Sequence, residues 1–196
     1  LEVTGRSGHS SRPDLGLNAV HAMAGIVTQI VEYGRQLEGA ALDLQFEPPY
    51  STVQVGVMQG GQSVNIIPDR CVAEIELRAV PGVSPTALLE PIKAALIALG
   101  ESGYEIAWRE LATYPGLSLA KDSALSSLLA DLTQQQVLPA VSYGTEAGLY
   151  QQAGIDAIIC GPGDIGRAHK PDEYIETTEL VACQSLIENL GARLAA

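Results

Sequence analysis

Three histidines are spread over 196 residues, and two of them stand where an imidazole could work. His169 follows an apolar run at residues 155–160 and a Gly161-Pro162-Gly163 loop, with Asp172 and Glu173 just beyond it. A strand-like segment running into a Gly/Pro loop is a good way to place a metal-binding or catalytic imidazole at a strand end. The alternative is a plain surface-loop histidine. His9 lies between Gly8 and Ser10 on a turn. It reads either as a solvated residue or as the base of a Ser-His pair with Ser7, Ser10 or Ser11. Nothing supplies a third member, and sequence neighbours are rarely the spatial partners of a triad. His21 falls within a helical pattern and carries no expected chemistry.

Asn65 opens an Asn-Ile-Ile-Pro turn, and Arg78 ends the strand that follows. An amide offers donor and acceptor together, and a guanidinium can clamp a carboxylate with two parallel bonds. A turn asparagine and a surface ion pair are the plainer readings. Gly144 and Thr145 start a short helix, whose free N–H groups suit an anion such as a substrate carboxylate, unless Thr145 is an ordinary cap. Glu146 belongs to the first turn, where a carboxylate favours the helix dipole, and is read as structural. Asp172 and Glu173 either orient His169 from behind or face solvent.

Gly161, Gly163 and Gly166 fit the letter of the dinucleotide fingerprint. That fingerprint needs a helix to open at the glycines. Pro162 deletes an N–H, Pro171 disfavours the helical region before it, and a single helical segment follows. A nucleotide site is therefore not expected.

The elements that must hold these residues can be read from apolar periodicity. Residues 18–37 repeat as a helix, with Gly39 beyond; residues 52–58 alternate Val53, Val55 and Val57 as a half-buried strand. Residues 71–80 alternate again after the Gly60-Gly61 turn, which predicts an antiparallel pair. Residues 85–99 form a second amphipathic helix ending at Gly100, and residues 104–111 a further strand. With the opening strand, residues 1–112 read β-α-β-β-α-β, the ferredoxin-like arrangement, with two helices on one face and edges free to pair with another copy. From Tyr114-Pro115-Gly116 the pattern changes: helices at 123–135, 145–152 and 177–194 alternate with short buried strands at 138–141 and 156–160, which implies a parallel α/β sheet. Two strands are too few for such a sheet, so residues 113–196 call for a partner. The whole is an α+β chain.

Composition narrows the function. A net charge of −12 opposes a nucleic-acid surface, which needs clustered Lys and Arg. No apolar run approaches the ~20 residues of a membrane span. Cys71, Cys160 and Cys183 are isolated and odd in number, which suits buried thiols in a reducing cytosol. The opening Leu1-Glu2-Val3-Thr4-Gly5 reads as the middle of a strand and predicts a longer parent.

Taken in order, Gly5-Arg6-Ser7-Gly8-His9-Ser10-Ser11-Arg12-Pro13, Gly60-Gly61-Gln62-Ser63-Val64-Asn65-Ile66-Ile67-Pro68, Glu76-Leu77-Arg78, Tyr143-Gly144-Thr145-Glu146-Ala147-Gly148 and Cys160-Gly161-Pro162-Gly163 with Ala168-His169-Lys170-Pro171-Asp172-Glu173-Tyr174 resemble the zinc-dependent amidohydrolases. That family includes the acetylornithine deacetylases, succinyl-diaminopimelate desuccinylases, carboxypeptidase G and the aminoacylases. The Gly-Pro-Gly…Ala-His-Lys-Pro run is most similar to the first of these. The resemblance covers essentially the whole chain.

It implies that residues 1–112 are a lid that dimerises, and that residues 113–196 are the C-terminal return of a catalytic α/β domain whose N-terminal half is absent. It further implies zinc, or cobalt in its place, with two ions per complete site and His169 as one ligand. His9 would reach a partner subunit and hydrogen-bond the scissile carbonyl oxygen. Asn65, Arg78, Gly144 and Thr145 would bind the substrate, an N-acyl amino acid such as N-acetylornithine, released as ornithine and acetate. A desuccinylase or dipeptidase keeps the family and changes the substrate, and a non-catalytic dimerisation module is the alternative of another class. The resemblance also implies a cytoplasmic homodimer with no nucleic-acid or membrane partner.

Overall fold

The computed structural model describes residues 1–120, 122–138, 140–141 and 143–195. It divides into two units, residues 1–116 with 140–144, and residues 117–139 with 145–196.

The first unit is a four-stranded antiparallel sheet with two helices on one face. Its strands are β1 (Glu2–Thr4), β3 (Thr52–Gly60), β5 (Arg70–Arg78) and β6 (Glu105–Ala107), in the spatial order β3-β5-β1-β6. The helices α1 (Ala19–Leu37) and α2 (Pro85–Glu101) connect β1 to β3 and β5 to β6, which completes the expected β-α-β-β-α-β order. Asn18 caps α1 by accepting the His21 amide at 3.0 Å, and Ser84 caps α2. Val3, Met23 and Cys71 are fully buried where α1 crosses the sheet, and Ile26 and Ile30 of α1 share a second cluster with Ile92 and Leu96 of α2.

Two short strands were not anticipated: β2 (Gly8–His9) and β4 (Ile66–Ile67) pair with each other as a separate ribbon. The expected antiparallel pair is β3 with β5, but the chain between them is not a simple glycine turn, because β4 leaves it to join β2. The predicted alternation in β3 also breaks. Register shifts between Val55 and Val57, leaving Gly56 unpaired, and past this bulge Val57 stands opposite Glu74 and is exposed. The second helix runs through Gly100 to Glu101, and the left-handed residue beyond it is Gly103 at φ 93°. The strand predicted over 104–111 keeps three residues.

The second unit has helices α3 (Ala124–Thr133), α4 (Ala147–Gln152) and α5 (Thr177–Leu194). The buried strands expected at 138–141 and 156–160 are not formed among the described residues, and Pro139 lies outside them. A strand exists by pairing, and no described segment pairs with residues 138, 140–141 or 156–160. Residues 155–160 are accordingly exposed or half-buried, with Ile155 and Ile159 open to solvent. Of the three thiols expected to be buried, Cys71 is; Cys160 is exposed and Cys183 intermediate. No helix among the described residues is long and apolar enough to cross a membrane.

Candidate functional site

The β2–β4 ribbon brings together two residues that are far apart in sequence. His9 stands opposite Ile66, and the Ser10 amide donates to the Asn65 carbonyl at 3.1 Å, so His9 and Asn65 flank one tip. The ribbon is held down by its glycines and by the turn below it. Arg6 and Leu17 exchange two backbone hydrogen bonds, at 3.0 and 2.8 Å, and the Arg6 Nε donates to the Leu15 carbonyl. Gly5 passes so close to Leu17 that an added Cβ would lie 2.1 Å from the Leu17 carbonyl oxygen. That approach explains a glycine there. Arg12 and Asp14 form an ion pair across the 3-10 turn Pro13–Leu15, at 2.7 Å.

The His9 ring has a defined polarity. Its Nδ1 accepts the Ser11 amide at 3.2 Å, and the Ser11 Oγ lies 2.8 Å from the same nitrogen. Those contacts place the ring proton on Nε2, which is left as an outward donor. No acidic group partners the imidazole among the described residues, so the Ser-His nucleophile reading has its pair and lacks the group that would orient it. The Asn65 Oδ1 accepts from the Ser63 hydroxyl at 2.6 Å, which leaves its NH2 to donate.

Arg78 is not part of this cluster. It ends β5 opposite Thr52, about 27 Å along the strand from Arg70 at about 3.4 Å per residue, whereas the ribbon joins β5 at its Arg70 end. There Arg78 donates to Glu76 at 2.7 Å, and Glu76 also accepts from Gln54. The Arg78 guanidinium holds the Glu76 carboxyl below its usual range.

Thr145 is an internal cap. Helix α4 begins at Ala147, two residues later than expected, and the Thr145 Oγ1 accepts the Ala147 amide at 3.1 Å. Glu146 occupies the N-cap position and makes no side-chain cap bond. The Thr145 hydroxyl thus takes the Ala147 amide, one of the first of this six-residue helix. Around Gly144 an added Cβ would meet the Tyr114 ring at an ordinary 3.8 Å.

His169 lies on an exposed loop in the left-handed region, at φ 56°, with Asp172 likewise at φ 58°. Glu173 does bind His169, but through the backbone, accepting its amide at 3.1 Å, so it orients the loop and not the ring. The residues that sequence reasoning missed are Arg167 and Glu179, which close this loop. Arg167 carries no periodic signal, while Glu179 is half legible as the third residue after Glu176 in a capping box. Among the described residues no group of three or more His, Cys, Asp or Glu is arranged to hold a metal. His169 offers one imidazole donor.

Comparison with known proteins gives concordant results. Residues 1–103 match the peptidase dimerisation domain. The chain is 34% identical over 190 residues to an acetylornithine deacetylase of Myxococcus xanthus, covering 95% of this chain and 50% of that protein. It is 31% identical over 192 residues to an acetylornithine deacetylase of Edwardsiella ictaluri, covering 97% and 50%. The crystal structure of an M20 family metallo-carboxypeptidase from Sulfolobus solfataricus superimposes with a TM-score of 0.59 at 20% identity, over 95% of this chain and 56% of that one, a likeness of fold. The chain spans about half the length of the curated relatives it matches.

Proposed function

The chain belongs to the peptidase dimerisation domain family through residues 1–103, and from that premise we propose that it is the lid and C-terminal part of a metal-dependent N-acyl-amino-acid deacylase. The substrate we assign is N-acetylornithine, hydrolysed to ornithine and acetate, as the names of the two relatives support. The observation that carries the reading is the polarity of His9. Its Nδ1 is engaged by Ser11, so Nε2–H is available to donate to an acyl carbonyl oxygen as negative charge develops there. The Asn65 amide flanks the same position and can donate to a second oxygen.

Arg78 lies at the other end of β5, too far from His9 of its own chain to share a substrate with it. It would grip a substrate carboxylate by exchanging its bond to Glu76 for a bidentate one, while His9 reaches across to the partner subunit's site. His169 would give one imidazole to a zinc or cobalt ion whose other donors come from outside this chain, with two ions per complete site. We assign the lid to residues 1–112 and the catalytic segment to 113–196, in a cytoplasmic homodimer formed through the lid. Gly144 and Thr145 remain proposed contacts of the substrate through their backbone.

Hydrolysis of N-acetylornithine, N-succinyl-diaminopimelate and a dipeptide, measured with a protein of the relatives' full length, tests this. A kcat for N-acetylornithine that falls by about 10²–10³ in His9→Ala, at nearly constant KM, is expected of a lost oxyanion donor. Preference for the succinyl substrate or the dipeptide would reassign the substrate within the family. A His9→Ala variant of full activity would remove His9 from the reaction. The second reading, a dimerisation module without catalysis, is favoured by the location of the family match and by the lone imidazole at residue 169. Absence of hydrolysis of all three compounds by the metal-loaded protein would establish it.

A further inference from the structure

The loop that carries His169 is fastened by side chains to which the proposed reaction gives no role. Arg167 ends the 3-10 turn Ile165–Arg167 and directs both terminal guanidinium nitrogens to Glu179 on α5. Nη1 donates to Oε2 at 2.9 Å, and Nη2 donates to Oε1. The two side chains are 21% and 28% exposed, so this fork is shielded where most surface pairs are open. The guanidinium also lies over the Tyr174 ring, 5.0 Å from its centroid.

Glu179 Oε2 accepts the Glu176 amide as well, at 2.9 Å. One carboxylate therefore joins the chain entering the loop at Arg167 to the chain leaving it at Glu176. Between these points His169 and Asp172 hold left-handed backbone, which residues other than glycine adopt when their surroundings over-determine it. The His169 ring has no side-chain partner among the described residues, so what this backbone sets is the direction of its Cα–Cβ bond.

We propose that Arg167 and Glu179 are positioning residues that close the 167–179 loop and thereby fix the direction in which the His169 side chain leaves the backbone. The inference rests on the reading of His169 as a metal ligand for its purpose, and on the loop geometry alone for its structure. A planar fork that bonds a carboxylate twice while covering a tyrosine ring defines one arrangement of the loop. A lysine, with a single rotatable ammonium, cannot do both.

The test uses the full chain with Arg167→Ala, Arg167→Lys and Glu179→Gln, and Glu176→Gln as a control for the helix cap. Amide hydrogen exchange over residues 166–175 and the His169 imidazole NMR signals are recorded at one pH, then again with zinc ion alone. Both Arg167 variants are expected to speed exchange of the His169 amide by about tenfold or more, and to move the imidazole signals toward those of an unstructured peptide, while α5 beyond its first turn stays protected. Glu179→Gln should do so less, and Glu176→Gln should affect only the first turn of α5.

Unchanged His169 exchange and imidazole signals in Arg167→Ala and Arg167→Lys would overturn the proposal. If Arg167→Ala unfolds the unit, Arg167→Lys and Glu179→Gln decide by the same two readouts. The zinc arm separates the two readings. In a protein of the relatives' full length, where the other donors are present, zinc that shifts the wild-type His169 signals but not those of Arg167→Lys supports both, whereas zinc that leaves wild-type His169 untouched there removes the ligand and keeps the clasp, provided the exchange result holds.

Discussion

His9 stands opposite Ile66 across the β2–β4 ribbon, so the position of its imidazole depends on how closely that ribbon lies against the loop before α1. Gly5 sets that approach. A Cβ at residue 5 would fall 2.1 Å from the Leu17 carbonyl oxygen, a backbone atom that cannot rotate away. Gly5→Ala should destabilise the first unit by about 1–3 kcal/mol, the range of overpacked sites. It should also release the Ser10 amide, which is bonded to Asn65, to rapid hydrogen exchange. A denaturation midpoint equal to wild type would show that the ribbon is not held by this contact.

The core offers a simpler case. Met23 is fully buried between α1 and the sheet, beside Val3 and Cys71. Met23→Ala removes that packing and should cost about 2–5 kcal/mol in chemical denaturation, with no change in the slope if the denatured state is unaltered. A loss below about 1 kcal/mol would mean that the cluster collapses around the smaller side chain.

One strand-to-strand ion pair gives a pH dependence whose sign is fixed. Arg70 of β5 bonds Glu2 of β1 through Nε and Nη2, at 2.7 and 2.9 Å, and its hydrogen bonds hold the Glu2 carboxyl below the usual range. A carboxyl depressed in the folded state contributes stability that is complete above its unfolded pKa, about 4.3 for glutamate, and is lost as pH falls through the lower folded value. The stability difference between wild type and Glu2→Gln should therefore be present at pH 7 and vanish in strong acid. Glu2 is half-buried but its partner Arg70 is exposed, so the difference should be small and should shrink in high salt. A difference that grows on acidification would contradict the assignment.

What the sequence showed and what it hid have physical causes. The β-α-β-β-α-β order was legible because α1, β3 and β5 each bury one face, and burial writes a period into the chain. Val57 was misread because a bulge at Gly56 shifts the register, and a one-residue shift moves a side chain to the other face without changing the local pattern. The apolar run at 155–160 has the composition of a buried strand, yet composition supplies no hydrogen-bonding neighbour, and no described segment pairs with it. The ribbon that joins His9 to Asn65 has two residues per strand, too short to carry a period. Arg167 and Glu179 are joined only by the folding of a loop, and their contact has no counterpart in sequence spacing.

The free edge of the sheet yields a last expectation. β3 has β5 on one side and, in the order β3-β5-β1-β6, no strand on the other. Its nine residues make it one of the two longest strands, and Val57 and Met58 on it are exposed. A long edge with exposed apolar side chains is a template for another chain, and natural monomers guard such edges with charge. A homodimer that extends the sheet through β3 would account for the missing guard, in keeping with the dimerisation-domain match at residues 1–103. Val57→Lys puts a charge on this edge strand, on the face shared with Glu74 and outside the buried clusters. It should convert a sedimenting dimer to a monomer with an unchanged circular dichroism spectrum. A dimer that persists in this variant, and also in Met58→Lys, would move the interface away from β3.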